Sequence, residues 1–229
     1  MAAAPGIERI VPAGDSALLI ELAQRIDRGI NAYAITLAEH LERRCGGGIR
    51  DAVVGYATLT VYFDPLTVDV EWLETEIREA AREIGEIDDR EGAAIDVPVC
   101  YGGDFGPDLD DVAAFGRCTA AEVIARHSAA VYRVYMVGFV PGFAYMASVD
   151  PRIAAPRRPA PRASVPPGSV AIAGEQTGIY PSVTPGGWNI IGRTPVKPYD
   201  PSRAKPFLFR AGDSVRFHAV SSDAFDQSR

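Results

Sequence analysis

The sequence has few of the groups that mark a self-contained catalyst. In 229 residues there are three cysteines and three histidines. Cys45, Cys100 and Cys118 are odd in number, far apart and without CxxC spacing, which argues against a disulfide framework and a zinc site and leaves reduced thiols as the expectation. No HExxH segment, Ser-His-Asp arrangement or carboxylate pair is present, and His40 and His218 have no sequence neighbour that suggests a metal ligand. The triple glycine Gly46 to Gly48 lacks the Lys-Ser/Thr of a phosphate-binding loop and ends a helical pattern, so it offers no helix N-terminus to a phosphate. No apolar run is long enough to cross a bilayer, and no basic residue precedes an apolar segment at Met1 to Gly6. Neither a membrane span nor a secretory signal is therefore expected, and the expected location is the cytoplasm.

What is present is an ordinary globular composition, 47% hydrophobic and 23% charged, with an uneven distribution of charge. Residues 1 to 90 hold 9 basic and 17 acidic side chains, against 14 and 13 in residues 91 to 229, so the halves carry −8 and +1. Within residues 152 to 216, ten Arg or Lys face only Glu175, Asp200 and Asp213. That excess favours an anionic partner, with a solvated basic face as the alternative. The stretch lacks the interleaved aromatic and basic pattern of a nucleic-acid platform, so nucleic acid is not expected.

Periodicity divides the chain at the same place as charge. Apolar segments at 7 to 11 and 17 to 22, separated by Pro12 to Asp15, predict two strands, and 49 to 56 with 58 to 63 predict another pair. Ile26, Ile30, Tyr33, Ala34, Leu37 and Leu41 recur at helical spacing, as do Val70, Leu73, Ile77, Ala81 and Ile84. Seven acids between Asp69 and Glu86 make the other face of the second helix strongly negative. This is the pattern of a small α+β domain over residues 1 to 90, with a polar linker at 86 to 92. After a strand at 95 to 100 and two short helices, the second opened by the capping box Thr119 to Glu122, the helical signal ends. Short β-type segments punctuated by Pro and Gly follow to residue 217 and predict a mainly β barrel or closed sandwich over residues 91 to 229.

The glycine- and proline-rich stretches of that second half carry the strongest signal. Gly138 to Tyr145 (GFVPGFAY), Pro156 to Arg162 (PRRPAPR), Val165 to Gly174 (VPPGSVAIAG), Gln176 to Trp188 (QTGIYPSVTPGGW), Ile191 to Pro195 (IGRTP) and Gly212 to Phe217 (GDSVRF), taken in order, resemble the allophanate hydrolase subunit 1 family. The resemblance implies a cyclophilin-like barrel for residues 91 to 229 and a separate amino-terminal domain. Members resemble the small subunit of 5-oxoprolinase, an ATP-dependent cyclic amide hydrolase. This implies ATP used by a complex, a sister allophanate hydrolase subunit 2-like protein of carboxyltransferase type, a LamB/YcsF-like subunit, and no activity of this chain alone. Other members resemble the kinase inhibitor KipI or a component of urea carboxylase and allophanate chemistry, and these stand as alternatives.

Opening a lactam requires activating a poor electrophile, by phosphorylating its oxygen for example, and stabilising anionic oxygens as water attacks. Arg157, Arg158 and Arg162 lie in a proline-stiffened segment that loses little entropy on ordering, which suits clamping a carboxylate or phosphate. An arm that docks on a partner is the competing reading. Gly186 and Gly187 let backbone approach closely beside the flat indole of Trp188, as a pocket wall or a turn with a core tryptophan. Gln176, Thr177 and Tyr180 are neutral hydrogen-bonding groups suited to an amide. Arg157, Arg162, Gln176, Tyr180, Gly186, Gly187, Trp188 and Arg193 are the candidate substrate-binding residues. Phe139, Phe143 and Tyr145 read as core or interface packing. His127, near a helix C-terminus that favours its protonated form, is the one weak catalytic candidate, against a structural hydrogen bond. No metal ligands are expected.

Overall fold

The computed structural model describes residues 6–85, 87 and 94–227. The expected linker at 86 to 92 lies, except for Ile87, outside the described residues. The chain divides into two compact units, Met1–Arg90 and Glu91–Arg229. No helix among the described residues is long and apolar enough to cross a membrane.

In the first unit, β1 (Arg9–Pro12), β2 (Ala17–Glu21), β3 (Asp51–Val54) and β4 (Thr58–Tyr62) form an antiparallel sheet in the order β1-β2-β4-β3. Alternation places Leu18, Ile20, Leu59 and Val61 in one core with Leu37 and Leu41 of α1 (Arg28–Cys45) and Leu73 and Ile77 of α2 (Val70–Glu83). Both helices start on an aspartate: Asp27 accepts from the Ile30 N–H at 3.0 Å and Asp69 from the Trp72 N–H at 2.9 Å. The triple glycine stops α1 as a short 3-10 turn, Gly46–Gly48. The acidic face of α2 is partly neutralised, because Arg44 of α1 pairs with Glu76, Glu79 and Glu83.

In the second unit, β5 (Ile95–Tyr101), β6 (Val131–Val137), β7 (Ala144–Ala147), β9 (Ser169–Ala173), β10 (Gln176–Ile179), β12 (Asn189–Arg193) and β13 (Ser214–Ala219) close a barrel in the order β10-β7-β6-β13-β5-β12-β9. Closure by the β9–β10 pairing removes the sheet edges. The β5–β13 pair is parallel, and the other barrel pairs are antiparallel. β8 (Arg162–Val165) and β11 (Thr184–Gly186) form a separate two-stranded sheet. α3 (Leu109–Phe115) and α4 (Ala120–Ala129) bury Val112 and Val123 in the barrel core, and the capping box of Thr119 and Glu122 is formed. A last helix, α5 (Ser222–Gln227), buries Phe225; its six residues are too few to show a helical period in sequence.

His127 is fully buried in this core and stacks on Phe217 with ring centroids 4.7 Å apart. Thr177 gives its hydroxyl proton to the Ala171 carbonyl at 3.0 Å, so it accepts from His127 Nε2–H at 2.9 Å. Nδ1 is then the acceptor for the Tyr101 hydroxyl at 2.8 Å. Burial lowers the imidazole pKa to about 3, outweighing the helix C-terminus that would favour the cation. The structure therefore holds a neutral imidazole with both nitrogens occupied.

The unfolded chain takes up this proton near pH 6.5 and the folded chain near pH 3, so stability is complete above pH 6.5 and is lost as pH falls through that window. On lowering the pH from 7.0 to 5.5, wild type is expected to lose about 1 kcal/mol more unfolding free energy than His127→Gln. Urea unfolding at both pH values checks this; equal losses would show that His127 is not buried neutral.

Candidate functional site

The site is organised by a carboxylate that the sequence did not single out. Gly106 packs so closely on β12 that a Cβ there would lie 2.0 Å from the Ile191 carbonyl oxygen. This close approach brings Asp108 alongside Ile190: the Asp108 N–H donates to the Ile190 carbonyl at 2.9 Å, and the Ile190 N–H donates to Asp108 Oδ2 at 2.7 Å. Asp108 Oδ1 accepts from Arg158 Nη1 at 2.6 Å and Arg162 Nη2 at 2.7 Å, with the aspartate side chain only 2% exposed. Two of the three arginines of the proline-stiffened segment thus hold that segment on the barrel. Arg158 N–H also donates to the Gly187 carbonyl at 2.7 Å, and Asn189 Nδ2 donates to the Pro156 carbonyl at 2.8 Å.

With the arm fixed, Arg157 is left over the Trp188 ring, 5.9 Å from its centroid, and has no ion-pair partner among the described residues. A cleft of about 300 Å³ opens beside it, walled by Phe143, Tyr145, Tyr180 and Trp188, with Pro161 of the arm and Gly186 at its margins. Phe143 packs edge-on against Tyr145, Tyr180 and Trp188 at 4.7, 5.1 and 5.3 Å between centroids. A Cβ on Gly186 would stand 2.3 Å from the Tyr180 hydroxyl, so glycine is what lets that ring reach its place. The Tyr180 oxygen accepts from the Trp188 backbone N–H, and burial raises its pKa, which keeps it protonated and able to donate. Phe139 stands 61% exposed at the rim in a left-handed conformation with φ +69°. A flat apolar wall, one unpaired guanidinium and a phenolic hydroxyl together suit a small planar ligand that carries an anionic group.

Arg157, Tyr180, Gly186, Gly187 and Trp188, singled out separately in the sequence, thus line one cleft. Phe143 and Tyr145 belong to it as well as to the packing expected of them. Arg162 is turned toward Asp108. Gln176 begins β10 opposite Ala147 and Ala173 and does not line the cleft. Arg193 lines a different groove, and His127 is in the core. Asp108 was hidden in sequence because an aspartate ahead of a helix reads as an N-cap, yet its side chain makes no capping bond here.

Asp108→Asn keeps the shape but leaves Arg162 without its anion and Arg158 with only the exposed Asp111, 3.6 Å away. Because the arginines remain 32% and 26% exposed, the loss is expected near the low end of the range for a broken buried pair, about 3 kcal/mol in urea unfolding of the chain. A loss below about 0.5 kcal/mol, the size of an ordinary surface change, would contradict the clamp.

The family model for the carboxyltransferase domain, subdomain C and D, matches residues 8–209. A 5-oxoprolinase subunit from Bacillus subtilis is 39% identical over 218 residues, which cover 91% of each chain. Among solved structures, TTHA0988 is similar over 90% of this chain with 38% identity and a TM-score of 0.81; the match covers 40% of that longer chain. The Kluyveromyces lactis urea amidolyase is similar over 96% of this chain with a TM-score of 0.79, but at 20% identity and over 16% of its own length, a likeness of fold alone. The chain belongs to the carboxyltransferase subdomain C and D family, the family of allophanate hydrolase subunit 1 and the 5-oxoprolinase small subunit.

Proposed function

We propose that this chain is one subunit of a 5-oxoprolinase, a cytoplasmic complex that uses ATP to open 5-oxoproline to glutamate. Its barrel unit would be the cyclophilin-like domain of that subunit. The single observation that carries the reading is the 39% identity, over 91% of both chains, to the 5-oxoprolinase subunit from Bacillus subtilis. Urea and allophanate chemistry rank lower, because the urea amidolyase resemblance is one of fold.

The cleft supports the same reading in its chemistry. 5-Oxoproline is a small, nearly flat lactam with one carboxylate. Arg157 pairs with that carboxylate above Trp188, the ring lies against Phe143 and Tyr180, and the Tyr180 hydroxyl donates to the lactam oxygen. Ring opening adds water across the carbonyl carbon–nitrogen bond, which leaves a second carboxylate and a free amine. No side chain of the cleft is a general base, so binding and polarisation fall to this chain and the remaining groups to its partners. Those partners are a sister allophanate hydrolase subunit 2-like protein and a LamB/YcsF-like subunit.

The test is reconstitution. The purified chain, the two partner subunits, and all three together are assayed for ATP-dependent release of glutamate from 5-oxoproline. Activity is expected only in the full mixture, and Arg157→Gln is expected to lower kcat/KM by about 10- to 100-fold, chiefly through KM, the size of one lost charge-assisted contact. Turnover of urea or allophanate in place of 5-oxoproline would overturn the assignment. Unchanged kinetics in Arg157→Gln would overturn the role of the cleft.

A further inference from the structure

A second groove in the barrel unit, of about 860 Å³, has no part in the cleft described above. Its polar lining includes Arg193, Lys197 and Arg203, opposed by Asp96 and Asp200, and its apolar wall includes Val196, Leu208 and Phe225. The volume lies within the range of small-molecule sites.

The charges of the groove are not equivalent. Asp200 is occupied within its own loop: it accepts from the Ser202 N–H at 3.0 Å and hydroxyl at 2.6 Å and lies 3.5 Å from Arg203 Nε. Arg203 in turn donates to the Lys197 carbonyl at 3.1 Å, which fixes the backbone that carries Lys197. That leaves Arg193 and Lys197, neither of which has a hydrogen-bond or ion-pair partner for its charged group among the described residues. Asp96, exposed at the rim, is the remaining carboxylate.

Arg193 is the more informative of the two. Its guanidinium lies over the Phe105 ring, 5.8 Å from the centroid, and its Nε is shut off from solvent without an acceptor. Opposite it across the β9–β12 pair stands Ser169, whose buried hydroxyl is also without a partner. Buried donors are ordinarily satisfied, so the orphan Nε of Arg193, which lines the groove, indicates that an acceptor belongs there; Ser169 is fully buried and is not part of the lining. With Asp200 taken up by Ser202 and Arg203, and Asp96 exposed at the rim, the groove keeps a net positive margin, and an arginine fork with a lysine four residues away suits the several oxygens of one phosphate group.

We propose that this groove binds a phosphate-bearing small molecule, with Arg193 and Lys197 holding the phosphate and the wall of Val196, Leu208 and Phe225 taking its apolar part.

The test is calorimetric titration of the full chain with inorganic pyrophosphate, with ATP, and with glutamate as a carboxylate control. Arg193→Gln and Lys197→Gln are compared with wild type, and Arg157→Gln in the other cleft serves as control. Lys197 is exposed, so its replacement does not threaten the fold. Pyrophosphate or ATP is expected to bind and to weaken by about tenfold in each groove variant, the loss of one charge-assisted contact, with no change in Arg157→Gln. ATP that binds about tenfold more tightly than pyrophosphate would assign the groove to a nucleotide, and equal binding to a free diphosphate group, both within the proposal. No heat from either up to about 10 mM, well beyond the weak-binding range, would overturn it. So would equal loss in Arg157→Gln, or glutamate binding as tightly with the same dependence on Arg193 and Lys197. The chain needs no partner for this measurement, so its failure is separable from failure of the 5-oxoprolinase assignment.

Discussion

The buried carboxylate of Asp108 is the interaction on which the candidate site depends. It accepts two guanidinium groups and one backbone N–H while almost wholly removed from water, and each donor comes from a piece of the site. Arg158 and Arg162 belong to the arm, and Ile190 follows Trp188 by two residues on β12. One carboxylate therefore fixes the arm to the strand that begins just after the indole-bearing Trp188. A buried ion cluster of this kind adds little net stability compared with an apolar replacement, but it is intolerant of losing one member. Its contribution is to specify a single arrangement of arm and strand, which is what places Arg157 above Trp188.

The barrel supplies the rigid frame for that clamp. Its closure leaves β8, β11 and the loops between strands as the places where side chains can be varied, and the cleft is built there, on the aromatic cluster of Phe143, Tyr180 and Trp188. On the inside, the chain of bonds from Tyr101 through His127 to Thr177 joins β5, α4 and β10. The imidazole is thus part of what holds the frame together. The cationic groove of Arg193 lies at another margin of the same barrel, so binding there and in the cleft can be examined separately.

Most elements were legible in sequence because they rest on periodicity and caps: the helix faces of α1 and α2, the alternation of β4, the aspartates and threonine that start helices. The site was legible only as ingredients. Gly186, Trp188 and Tyr180 are near in sequence, and a pair of glycines beside an aromatic is a local signal of close approach. Arg157 joins them through a contact 31 residues distant, and Asp108 acts on arginines 50 and 54 residues away. Such pairings arise from the order of strands in the barrel, including the parallel β5–β13 pair, and no local pattern encodes them. The same holds for His127, where the helix C-terminus was visible in sequence and the complete burial that overrides it was not. The motif resemblance reached further than local physics, since it identified the family now supported by matches along most of the chain.

The central claim is that the Asp108 clamp builds the cleft by holding the arm against Trp188. The chain has two tryptophans, and the other, Trp72, is 41% exposed, so a Trp72→Phe background isolates the emission of Trp188, which is 4% exposed. Acrylamide quenching of Trp188 in this background, with and without Asp108→Asn, is the most direct measurement. The account predicts weak quenching with the clamp intact and a several-fold larger quenching constant without it, while the far-ultraviolet circular dichroism of the folded chain is unchanged. A Trp188 that stays equally shielded after the clamp is broken would contradict it.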